Sequence, residues 1–140
     1  MPLSKALSAL ILLATLAGCA TGNSFRAENR MKLLKLSPGM TKADVLDAMG
    51  VGEQKVCCPI RTVTNPHRTE AYSAGGARFE VLYYYTDKKT DSSNDPYSQN
   101  ASNVQDDELL PIVLKDGKLE GWGWSFWNDT VNRYEIRVRR

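Results

Sequence analysis

The spacing of apolar residues changes several times along this chain, and each change predicts a different element. Ala6–Leu16 is apolar apart from Ser8 and Thr15. Phe25–Leu36 then sets Ala27, Met31 and Leu34 at helical spacing with charges between them. Asn23 or Ser24 can cap that helix, and Ser37-Pro38-Gly39 ends it. A second helix is better marked. Thr41 is a good N-cap, Asp44 sits where exposed N–H groups and the positive helix end meet a carboxylate, and Gly50 supplies a left-handed stop. Val45, Leu46 and Met49 form its apolar stripe, with Ala48 beside it. So short a helix must be held by packing on something else.

Downstream the period falls to two. Gln54–Val63 reads as a strand that Pro59 interrupts, which suggests an edge or a bulge. Ser73–Gly76 is a turn. Arg78–Thr86 is the clearest strand, with Phe79, Val81, Tyr83 and Tyr85 on one face and Leu82 and Tyr84 on the other. Ile112–Lys115 and Lys118–Trp127 flank Asp116-Gly117, a strong two-residue hairpin turn. Tyr134, Ile136 and Val138 alternate and suggest a last strand. Helices first and strands after predict an α+β domain over residues 25–140. In it, two short N-terminal helices pack on a small antiparallel sheet of three or four strands. Residues 87–108 are polar and almost free of apolar side chains, the composition of a flexible loop. Asp91–Asp95 has carboxylates suited to a hard cation but lacks the glycine and terminal glutamate of a calcium loop.

The first nineteen residues carry the sharpest chemistry. Met1–Lys5 has one positive charge and no acid, and the apolar run after it is too short to span a bilayer, which needs roughly 20 residues. Leu16-Ala17-Gly18-Cys19 then resembles the bacterial lipobox, in which the cysteine thiol takes a diacylglycerol group before cleavage. Residues 1–18 are thus expected to be a lipoprotein signal peptide, Cys19 the lipidation site, and residues 19–24 an acylated tether. Ala20, in place of an aspartate, implies sorting to the outer membrane by the pattern of such lipoproteins.

Charge and candidate chemistry narrow the function. Without Lys5 the formal charge falls from +2 to about +1, which gives no electrostatic case for nucleic acid. Arg137–Arg140 is a basic end that can touch anionic lipid or simply be solvated. Cys57 and Cys58 are adjacent, and export would place them in an oxidising compartment. Three readings stay open: one buried and one exposed thiol, a strained vicinal disulfide, or a redox or metal site. His67, the only histidine, reads as a surface turn residue. No nucleophile elbow, phosphate-binding glycine loop or metal-ligand spacing appears, so no enzyme, cofactor or metal is expected. Trp122, Trp124 and Phe126 would share one strand face. They form either the core of the sheet or, with Tyr84, an exposed surface for a partner or a small ligand or lipid.

The segment Leu36-Ser37-Pro38-Gly39-Met40-Thr41-Lys42-Ala43-Asp44-Val45-Leu46-Asp47-Ala48-Met49-Gly50 resembles the Gly-Met-Thr helix of the SmpA/OmlA family, small outer-membrane lipoproteins also called BamE-like. Glu80–Tyr84, Leu114–Leu119 and Gly121-Trp122-Gly123 look like an uncharacterised subgroup of it. The resemblance implies two helices on one face of a three-stranded antiparallel sheet. It also implies a non-catalytic role on the periplasmic face of the outer membrane, docking on envelope proteins such as the barrel-assembly machinery. A periplasmic module that binds a small ligand or lipid on the aromatic face is the alternative. The 87–108 loop and the Cys57-Cys58 pair lie outside the family's usual pattern.

Overall fold

The computed structural model describes residues 22–56, 61–87 and 104–138. Cys19, the Cys57-Cys58 pair and the interior of the 87–108 loop lie outside them. The chain is α+β, with three α-helices and two antiparallel sheets among the described residues. Helix α1 spans Gly22–Leu33 and α2 spans Lys42–Met49. Strands β1 (Gly52–Val56) and β2 (Arg61–Asn65) pair as a two-stranded sheet. Strands β3 (Arg68–Ala74), β4 (Ala77–Tyr85), β5 (Leu109–Lys115) and β6 (Lys118–Trp122) form a four-stranded meander in that order. Helix α3 covers Trp124–Tyr134.

The second helix forms as its sequence dictates. Thr41 and Asp44 make a reciprocal capping box, and Gly50 leaves the helix at φ +82°. Val45 and Met49 are fully buried against Leu82, Tyr84, Ile112, Leu114 and Leu119. Each such side chain contributes roughly 1.5–3 kcal/mol by leaving water, which holds a helix too short to stand alone. The alternation along β4 also appears as expected. Phe79, Val81, Tyr83 and Tyr85 enter one core, and Leu82 and Tyr84 enter the other.

Four expectations are corrected. Gln54–Val63 is two strands in place of one, because the chain reverses between Val56 and Arg61. The first helix buries Phe25, Arg26 and Asn29, while Met31 and Leu34 are exposed. Its apolar stripe at helical spacing is therefore not the face that packs. The strand expected to reach Trp127 stops at Trp122, and Trp124 and Phe126 are helical. Gly123, at φ +91°, turns the chain out of β6, and its N–H donates to Pro111 O at 2.8 Å. The final strand does not form either. Tyr134 ends α3, Glu135 is left-handed at φ 53°, and Ile136 drops into the first core.

Helix placement follows from these corrections. Helix α2 covers one face of the large sheet and α3 the other. Helix α1 crosses the end of the sheet, with Phe25 in the α3-side core and Leu33 against the α2-side core. The expected pair of helices on a single face is thereby replaced by cover on both.

Candidate functional site

The two edges of the large sheet are treated differently, and the difference defines the site. Along β6, Gly39 N–H donates to Leu119 O and Leu119 N–H donates to Met40 O, so the 39–41 segment occupies that edge. The β3 edge pairs with no strand among the described residues. Its outward groups can be assigned from the hairpin. Gly75 and Gly76, at φ +58° and +77°, join Ala74 to its partner Ala77 in a two-residue turn. Such a turn makes the flanking pair a hydrogen-bonded one, so the alternate residues Thr69, Ala71 and Ser73 direct N–H and C=O away from β4. All three are exposed. The edge has neither lysine, proline nor bulge within Thr69–Ala74 to discourage another strand.

Beside this edge runs an open groove of about 1030 Å³, bounded by Glu70–Gly75 and by Tyr134–Val138. The chain after α3 forms its second wall because Ile136 is buried and ties it down. Polar contacts fix Glu70 and Tyr72, two of the groove's lining residues. Glu70 accepts hydrogen bonds from the hydroxyls of Tyr72 at 2.6 Å and Tyr83 at 2.9 Å, and from Arg68 Nε at 3.0 Å. Arg68 lies over the Tyr83 ring, 4.0 Å from its centroid, and also reaches Asp106 at 2.7 Å. Burial, reinforced by the Glu70 carboxylate, holds the Tyr83 hydroxyl well above its ordinary pKa, so it stays a donor. Ring pairs lie on this side of the sheet: Tyr72 on Trp127 and Tyr83 on Trp124, with centroids 5.5 Å and 5.9 Å apart.

A second polar cluster fastens α1 to the sheet. Asn29 Nδ2 donates to Tyr85 O at 2.9 Å, and Asn65 Nδ2 donates to Asn29 Oδ1 at 3.0 Å. Arg26 bridges the two stems of the 87–108 segment, donating to Asp87 O and pairing with Glu108 at 3.3 Å. Arg30 donates to Thr86 O and faces Asp87 at 3.7 Å. His67 lies in the bend between β2 and β3, as expected, but is half-buried there, with Nδ1 2.7 Å from the Tyr85 hydroxyl.

The structure separates the aromatic residues that the sequence grouped. Trp122 packs on the α2-side core, while Trp124 and Phe126 pack on the α3-side core. Tyr84 is fully buried, and burial pushes its hydroxyl up to about 12 as it donates to Gly50 O at 3.1 Å. It has no surface to offer a partner. Trp122, Trp124 and Phe126 keep some exposure, but they do not form one face. The β3 edge and its groove were missed by sequence reasoning, although Thr69–Ser73 carries a weak alternating signal. Among the described residues no group of three or more His, Cys, Asp or Glu could hold a metal ion, and no helix is long and apolar enough to cross a membrane. Comparison with known protein families, curated proteins and solved structures finds no match.

Proposed function

We propose that this chain is a non-catalytic lipoprotein, anchored through Cys19 on the periplasmic face of the outer membrane, that binds envelope proteins. The observation that carries this reading is Leu16-Ala17-Gly18-Cys19 at the end of a short apolar run with a basic start. The resemblance to the SmpA/OmlA family supports a role beside outer-membrane protein assembly or in envelope integrity. The groove beside β3 supplies a place for a partner to bind. Its occupant would be an extended segment of an envelope protein, because the outward backbone groups of Thr69, Ala71 and Ser73 are the pattern that strand addition uses.

A photo-reactive residue at Arg137, which is exposed on the groove wall, tests this in the native envelope. The expected product is a crosslink to an identifiable envelope protein, absent with the same probe at Lys118 on the far strand. Ala71→Pro should abolish that crosslink, because it removes an outward N–H that strand addition needs and the β3–β4 ladder does not. A crosslink unaffected by this change would exclude strand addition. No crosslink at all would contradict the binding role assigned to the groove.

A further inference from the structure

Helix α1 has two side-chain faces suited to burial, and among the described residues only one of them is covered. Successive residues turn by about 100°, so Phe25, Asn29 and Leu33 stand together while Ala27 and Met31 stand on the opposite side. Leu34 follows in the turn that ends the helix, its N–H donating to Met31 O at 3.2 Å. The first set packs on the domain. On the second, Met31 is 64% exposed and Leu34 78% exposed, side by side one turn apart. Lys35 follows Leu34 directly in the chain. From Gly22 to Lys35 the chain carries Arg26, Arg30, Lys32 and Lys35 against Glu28 alone, a net of +3. The rest of the mature chain, at about +1 overall, is therefore slightly acidic. Within the protein Arg26 pairs with Glu108, Arg30 with Asp87 and Lys32 with Glu28, which leaves Lys35 as the cation beside the open apolar face.

The position of that helix in the chain says what covers it. Gly22 follows Cys19 by three residues. Whatever path they take, three residues span at most about 10 Å. A lipid on Cys19 therefore keeps the start of α1 within about one helix diameter of the bilayer surface. A helix with an open apolar face and a lysine at its end has a fitting neighbour in the bilayer at that distance. We infer that α1 lies in the plane of the anchoring leaflet, with Ala27, Met31 and Leu34 at the boundary of headgroups and acyl chains and Lys35 toward anionic headgroups. This rests on the proposed anchoring through Cys19.

The contact would orient the domain. Arg26 and Arg30 hold Thr86, Asp87 and Glu108 beside α1, so both stems of the 87–108 segment stand at the membrane end. Helix α1 packs at the Tyr85 end of β4, whereas the Gly75-Gly76 turn is at the other end of that nine-residue strand, roughly 25 Å away. The far end of the groove would thus remain open to partners.

The test uses the full mature protein in vesicles of phosphatidylethanolamine and phosphatidylglycerol that include a phospholipid with a photo-reactive group high in its acyl chain. After irradiation, mass spectrometry locates the lipid adducts and reads the mass of the Cys19 peptide. Adducts should concentrate on residues 27–35. The double substitution Met31→Gln and Leu34→Gln, both at exposed positions, should cut them tenfold or more while the Cys19 mass is unchanged. An acylated Cys19 with no adducts on α1, or with adducts that survive the double substitution, would overturn the membrane contact and leave the anchor standing. An unmodified Cys19 would overturn the anchor, and the inference with it.

Discussion

The ring of Phe126 lies where a side chain on Gly121 would stand: a Cβ there would come within 2.8 Å of three ring atoms. Gly121 therefore lets α3 fold back over the last strand of the sheet, and its neighbours cannot yield cheaply because the ring packs on the α3-side core. Gly121→Ala should destabilise the protein by about 1–3 kcal/mol, the usual cost of overpacking a filled site. Urea unfolding of the two proteins, with an unchanged denaturant slope, measures this.

Asn29 and Asn65 exchange amide hydrogen bonds in a buried setting, and Asn29 also satisfies Tyr85 O. Asn29→Ala leaves both partners unsatisfied and should cost about 1–3 kcal/mol. The pair is neutral, so the loss should persist at high salt. A double-mutant cycle with Asn65→Ala should show a coupling between the two sites, because neither change is independent of the other.

His67 gives the fold a mild sensitivity to acid. Burial, the largest cause, and the neighbouring Arg68 lower its pKa below the ordinary 6.5, against smaller opposing effects of Asp106 and Glu108. The unfolded chain therefore binds a proton more readily than the folded one. Stability should fall as pH drops through 6.5 toward the lowered folded value, then stop changing on this account. His67→Gln should flatten that part of a melting-temperature profile between pH 7.5 and 5, and a profile unaltered by the substitution would refute the assignment.

Glu135 holds a left-handed backbone at φ 53° directly after α3, where its N–H donates to Val131 O. A side chain is disfavoured there by roughly 1 kcal/mol or more, and glycine is not. Glu135→Gly should raise stability by up to about 1 kcal/mol, visible as a higher melting temperature.

How much of this could be read from the sequence depended on whether one local signal was unopposed. Thr41, Asp44 and Gly50 mark both ends of α2, and no competing pattern contradicts them. The period-two alternation of Phe79–Tyr85 is equally unopposed, and β4 follows it. Trp122, Trp124 and Phe126 also alternate, but Trp124, Trp127, Val131 and Tyr134 recur at helical spacing over the same residues. There the helical period prevails, with Gly123 as the switch point. Met31 and Leu34 misled for a related reason. Helix α1 packs on the domain largely through polar side chains, Arg26 and Asn29, which no apolar pattern can announce. The β3 groove depends on which sheet edge stays uncovered, a property of the assembled topology and not of any one segment.

The mass of the mature N-terminal peptide tests the proposed anchor at Cys19 most directly. Protein recovered from the envelope fraction should begin at Cys19 and carry diacylglycerol there. Cys19→Ala should remain unprocessed and lack the lipid. A chain that retains residues 1–18, or that is cleaved there with a free Cys19 thiol, would contradict the account.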